Sequence, residues 1–143
     1  MTQTSPACGR DDWKKAPIEP QIRPLVDSLR RRGITTVASC AGHATRLSTP
    51  YVLFRSTEAE AWEVQTILHA LYLSDRTHRY WSLEARFCSD GVLQYAVTAS
   101  SLESLDTGLR RLWHFWIRRR RIDHDLQALA SALTPADPGE DLP

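Results

Sequence analysis

The residues best suited to chemistry lie in one short stretch, Ser39-Cys40-Ala41-Gly42-His43-Ala44-Thr45-Arg46, which gathers a thiol, an imidazole, a glycine, hydroxyls and a guanidinium. Three chemistries compete for it. In the first, Cys40 is a nucleophile and His43 its base, because a catalytic thiol needs a neighbour that favours the thiolate. In the second, Cys40 and His43 ligate a metal, but two ligands are too few and His69, His78 and Cys88 would have to converge on them. In the third, Cys40 is a buried residue closing a strand. The turn that follows then either closes the loop or binds an anion through Ser39, Gly42, His43, Thr45 and Arg46, with Gly42 allowing a sharp bend that bares backbone N–H groups. The third reading is preferred. No cysteine or histidine spacing of zinc-site type occurs, so no metal site is expected.

A second feature is the run Arg110-Arg111-Leu112-Trp113-His114-Phe115-Trp116-Ile117-Arg118-Arg119-Arg120-Arg121. At about 100° per helical residue, Arg111, His114, Arg118 and Arg121 fall within about 80° of one another. No acid occurs between Thr107 and Ile122, so the face has a single sign. Such a face suits a phosphate backbone. The competing reading is a solvated helix face whose cations offset the helix dipole.

These residues need a frame to hold them. Ile22, Leu25, Val26 and Leu29 predict a helix over residues 21–32, with Pro20 and Pro24 before or within its first turn and Gly33 as its stop. The β-branched stretch 34–39 and the apolar run 51–55 predict two strands, the second fully buried. Thr57 and Glu60 form a capping box for a helix to about Leu73, with Trp62, Ile67, Leu68 and Leu71 facing the core.

Residues 79–88 and 92–99 alternate as a hairpin. A three-residue Ser89-Asp90-Gly91 turn pairs Phe87 with Leu93, Ala85 with Tyr95 and Leu83 with Val97, and puts Gly91 in the left-handed position. Ser100 and Glu103 form a second capping box for a helix over 102–121, whose stripe is Leu102, Leu105, Leu109, Leu112, Trp113 and Trp116. Residues 123–133 either continue it or form a separate helix capped by Asp123. The order is α-β-β-α-β-β-α, two β-β-α units in succession. It predicts an α+β fold with an antiparallel or mixed sheet covered by helices on one face.

At 143 residues the chain is one domain long, here 18–133, between a flexible arm (1–17) and a disordered acidic tail (134–143). No apolar run approaches the roughly 20 residues of a membrane helix, so no membrane partner is expected. The first twenty residues lack an apolar signal core, so Cys8, Cys40 and Cys88 are expected as reduced thiols in the cytoplasm. The formal net charge of +1 hides a segregation: residues 1–121 hold 18 basic and 12 acidic groups, while the last 22 residues hold five acids and no Lys or Arg. Sixteen of the 18 bases are arginines, which grip phosphate through a planar fork.

One resemblance spans about residues 18–43. Ile18-Glu19-Pro20, Leu25-Val26-Asp27-Ser28-Leu29 and Thr35-Thr36-Val37-Ala38-Ser39-Cys40-Ala41-Gly42-His43 resemble the N-terminal part of the wybutosine-synthesis methyltransferase family that acts on phenylalanine tRNA. Thr36, Ser39, Cys40 and Gly42 match that family's T-x-S-S-C-S-G-R strand end, and Ala38, Ala41 and His43 differ from it. The resemblance implies an α+β fold, S-adenosylmethionine as cofactor and an RNA substrate. The pattern S-C-x-G-H followed by Pro50-Tyr51-Val52-Leu53-Phe54 also resembles small uncharacterised proteins of bacteria and their phages.

The leading expectation is a small cytoplasmic protein that binds an anionic ligand, RNA or a nucleotide, through the 40–46 loop and the face of Arg111, His114, Arg118 and Arg121. Whether it is an enzyme stays open, and methyl transfer is the reaction the resemblance suggests. The alternative is a non-catalytic phage or mobile-element protein that docks a host complex, or another acidic protein partner, through its basic helix. The acidic tail folding onto that helix is a further alternative.

Overall fold

The computed structural model describes residues 17–42, 50–99 and 109–136, and for 109–118 the backbone alone. The elements follow the expected order: α1 (Arg23–Arg31), β1 (Thr35–Cys40), β2 (Tyr51–Arg55), α2 (Glu58–Leu73), β3 (Trp81–Phe87), β4 (Leu93–Ala99) and α3 (Leu109–Leu133). The fold is α+β. The arm at 1–16, the tail beyond 136 and the Ser100–Glu103 capping box lie outside the described residues.

Helix α1 takes Pro24 in its first turn, where a missing N–H costs little. Its end is a Schellman motif. Gly33, at φ +80°, donates to the carbonyl of Arg30, and Ile34 donates to that of Leu29. Buried Ile34 then leads straight into β1. Helix α2 starts with both halves of the capping box: Glu60 N–H donates to Thr57 Oγ1 (3.2 Å) and Thr57 N–H to Glu60 Oε2 (2.8 Å).

The four strands form one antiparallel sheet in the order β1-β2-β4-β3, which reads the same when the two β-β units are exchanged. The second hairpin has the expected register, with Phe87 opposite Leu93, Ala85 opposite Tyr95 and Leu83 opposite Val97. Cys88 N–H donates to Val92 carbonyl across the turn, and Gly91 takes φ +77°. One sheet face carries Val52, Phe54, Trp81, Tyr95, Val97 and Ala99 into a single core with Ile22 at the N-cap of α1, Leu25 and Leu29 within it, Val64, Leu68 and Leu71 of α2, and Leu126, Leu129 and Leu133 of α3. Helix α3 packs against both α1 and α2.

Four expectations are corrected. Trp62 does not face the core and is 71% exposed; the buried stripe of α2 is Ala61, Val64, Leu68 and Leu71, from which Trp62 is turned by one residue's rotation. β2 is not buried on both faces: Val52 and Phe54 are buried, while Tyr51, Leu53 and Arg55 are half-buried on the other side. Asp123 caps nothing, because α3 runs unbroken through it. Finally, Cys88 is disulfide-bonded, whereas Cys40 is a free thiol as expected.

Helix α3 is tied to the rest by buried polar contacts as well as by its leucines. Ser28 Oγ donates to the Ala130 carbonyl at 2.8 Å, and Arg32 Nε to the Leu133 carbonyl at 2.6 Å. Asp125 is fully buried. Its carboxylate accepts from His78 N–H (2.8 Å), Arg79 N–H (3.1 Å) and the Trp81 indole (3.0 Å), which fastens the approach to β3 onto the middle of α3. Such a carboxylate stays buried because N–H donors replace its lost water.

Candidate functional site

Antiparallel pairing places Cys40, Tyr51, Thr98 and Ser82 in one row across the sheet, on the face away from the three helices. Paired residues share a face and neighbours alternate. Ser39 pairs with Val52 and so lies on the opposite face from Cys40. The two adjacent residues of the motif therefore serve different surfaces.

The loop that leaves Cys40 is held at its base by three contacts. Ala41 N–H donates to the Glu19 carboxylate. Gly42, at φ +85°, donates its N–H back to Cys40 Sγ at 3.4 Å. The Arg119 guanidinium of α3 donates to the carbonyls of Ala41 (2.7 Å) and Gly42 (3.3 Å). Arg119 also sits 2.7 Å from Asp123, one turn on, as an ion pair without hydrogen-bond alignment. The first N–H groups of the loop, those of Ala41 and Gly42, are thus spent inside the protein.

His43, Thr45 and Arg46 lie outside the described residues, so the Cys40–His43 pairing expected of a nucleophile or a metal pair is not among the observed contacts. Among the described residues the hydrogen bond to the Cys40 thiol comes from Gly42, and no imidazole joins it. The nearby Tyr51 hydroxyl has its pKa raised, first by burial and then by Cys40, with Glu19 adding and Arg86 opposing.

On α3, the side chains of Arg111, His114 and Arg118 are outside the described residues, although their backbone is helical. Arg120 and Arg121 are exposed and make no hydrogen bond or ion pair to a described residue. Arg119 is committed to the loop. The structure thus brings one end of the basic run against the base of the 40–46 loop.

Asp123 and Asp125, two of the five acids in the last 22 residues, belong to α3; the first pairs with Arg119 and the second is in the interior. The carboxylate of Asp125 also lies beside two imidazoles, His78 Nδ1 at 3.0 Å and His124 Nδ1 at 3.6 Å. No local spacing marks this grouping in the sequence, because its members come from the α2–β3 connection and from α3. No helix among the described residues is long and apolar enough to cross a membrane. No family model, curated protein or solved structure matches the chain.

Proposed function

We propose that the protein binds an anionic ligand, RNA or a nucleotide, at the junction between the 40–46 loop and the basic run of α3. The observation that carries this reading is the Arg119 bridge, which ties the loop base at Ala41 and Gly42 to the helix bearing Arg118, Arg120 and Arg121. With Arg119 fixed, Arg120 and Arg121 are the exposed cations that follow it in the helix, and the segment after Gly42 carries hydroxyls and Arg46. Arginines there would bind phosphate oxygens in pairs, and Thr45 and His43 would add donors. The setting that goes with this reading is cytoplasmic. The Cys88 disulfide pulls the other way, since disulfides persist in oxidising compartments.

Fluorescence anisotropy with a labelled single-stranded oligoribonucleotide tests the reading. Binding is expected at low salt and should weaken steeply as salt rises. Competition by unlabelled ATP at equal phosphate concentration separates a nucleotide site from an RNA surface. Absence of affinity for RNA, DNA and nucleotides at low salt removes the proposal. If the resemblance to tRNA methyltransferases extends to chemistry, S-adenosylmethionine at saturating concentration raises the Tm; no shift removes methyl transfer and leaves binding standing.

A further inference from the structure

The grouping around Asp125 has the composition and spacing of a metal site. His78, His124 and Asp125 each offer one donor atom, and the three atoms lie within 4.8 Å of one another. The two nitrogen-to-carboxylate distances, 3.0 and 3.6 Å, bracket the separation of donors around a tetrahedral ion with bonds of about 2.1 Å, which is about 3.4 Å. The imidazole rings stand edge to face with centroids 4.9 Å apart.

The carboxylate is prepared for this role. An ionised carboxylate has about four lone-pair positions. Three are filled by His78 N–H, Arg79 N–H and the Trp81 indole, which fix its orientation in the manner of the outer shell of a metal centre. The fourth faces His78 Nδ1. An ion entering there takes that lone pair and Nδ1 together, while the imidazole proton moves to Nε2. The imidazoles reach solvent, with side chains 43% and 59% exposed, so an ion has a path in and room for water on its open side.

We propose that His78, His124 and Asp125 bind a divalent transition-metal ion, with two imidazole nitrogens and one carboxylate oxygen as ligands and water completing the shell. Imidazole donors select zinc, nickel, cobalt or copper over magnesium and calcium. The ion would clamp the α2–β3 connection to α3 and offset the charge of a fully buried carboxylate.

The test is isothermal titration of chelator-treated full-length protein with Zn²⁺, repeated with Co²⁺ followed by its visible absorption. One equivalent should bind, with the intense cobalt bands of low-coordinate N/O ligation. His78→Ala and His124→Gln, both at exposed rings, should each weaken binding tenfold or more, while His69→Ala leaves it unchanged. Cys40→Ser and His43→Ala test the competing loop thiol and imidazole and should also leave it unchanged. The proposal is overturned if the His78→Ala/His124→Gln double variant binds Zn²⁺ like the wild type, if the wild type binds none, or if Cys40→Ser abolishes binding. Far-UV circular dichroism of each variant separates loss of a ligand from loss of the fold.

Discussion

Two regions of α3, about 1.7 turns apart, use charge in opposite ways. At Arg119 a cation is half-buried and held by two carbonyls and one neighbouring acid, and it organises a loop from outside. At Asp125 an anion is fully buried and held by N–H donors of His78, Arg79 and Trp81 at the start of β3, and it organises the interior. The first contact closes the base of the candidate ligand loop on the β1 side. The second anchors the far edge of the sheet. The difference lies in what remains after each contact is made. The arginine run keeps exposed cations next to Arg119, whereas the carboxylate keeps one lone pair, shared with an imidazole.

Asp125→Ala should break the comparison most severely. It leaves two backbone N–H groups and the Trp81 indole without their acceptor, at about 1–3 kcal/mol for each buried donor. A loss of at least about 3 kcal/mol in urea denaturation is expected. A loss below about 1 kcal/mol would mean that the carboxylate does not hold β3 to α3.

Arg119→Ala should cost less, about 1–2 kcal/mol, because its contacts lie at a half-buried surface. Its signature should be local, with faster hydrogen exchange at Gly42 and little change at Trp81. Uniform acceleration across the sheet would contradict a contact confined to the loop base.

Trp62→Ala serves as the reference outside both regions. Despite the size of the side chain, its 71% exposure predicts a change within about 0.5 kcal/mol. A larger cost would return Trp62 to the core, where the sequence reading put it.

The smallest effect is expected at Tyr51. Its folded-state pKa lies above the ordinary 10.0, so the fold favours the protonated phenol. That contribution is whole below about pH 10 and is lost as pH rises through the raised value. Tyr51→Phe should therefore flatten the fall of Tm above about pH 10 while leaving neutral-pH stability nearly unchanged.

Local signals were legible and distant ones were not. Gly33, the Thr57–Glu60 box and the Ser89-Asp90-Gly91 turn each work through bonds between residues a few positions apart, so spacing alone reveals them. The hairpin register follows, because only one turn length keeps Leu83, Ala85 and Phe87 on a face with Val97, Tyr95 and Leu93. Trp62 was misplaced because hydrophobicity does not distinguish two adjacent helical positions; the stripe chosen by packing begins at Ala61. Asp125 read as one more local acid because acid content says nothing about partners 44 to 47 positions earlier in the chain. The basic run was visible as composition. The contact of Arg119 with Ala41 and Gly42 joins residues 77 and 78 positions apart and so needed the fold.

The central claim is that the loop and the basic run make one phosphate-binding surface. The most direct measurement is the slope of log Kobs against log salt for a labelled single-stranded oligoribonucleotide, in the wild type and in Arg118→Ala/Arg121→Ala. Each lost phosphate contact lowers the slope by about 0.7, so the double variant should be shallower by about 1.4 and bind more weakly at low salt. An unchanged slope with unchanged affinity would contradict the claim.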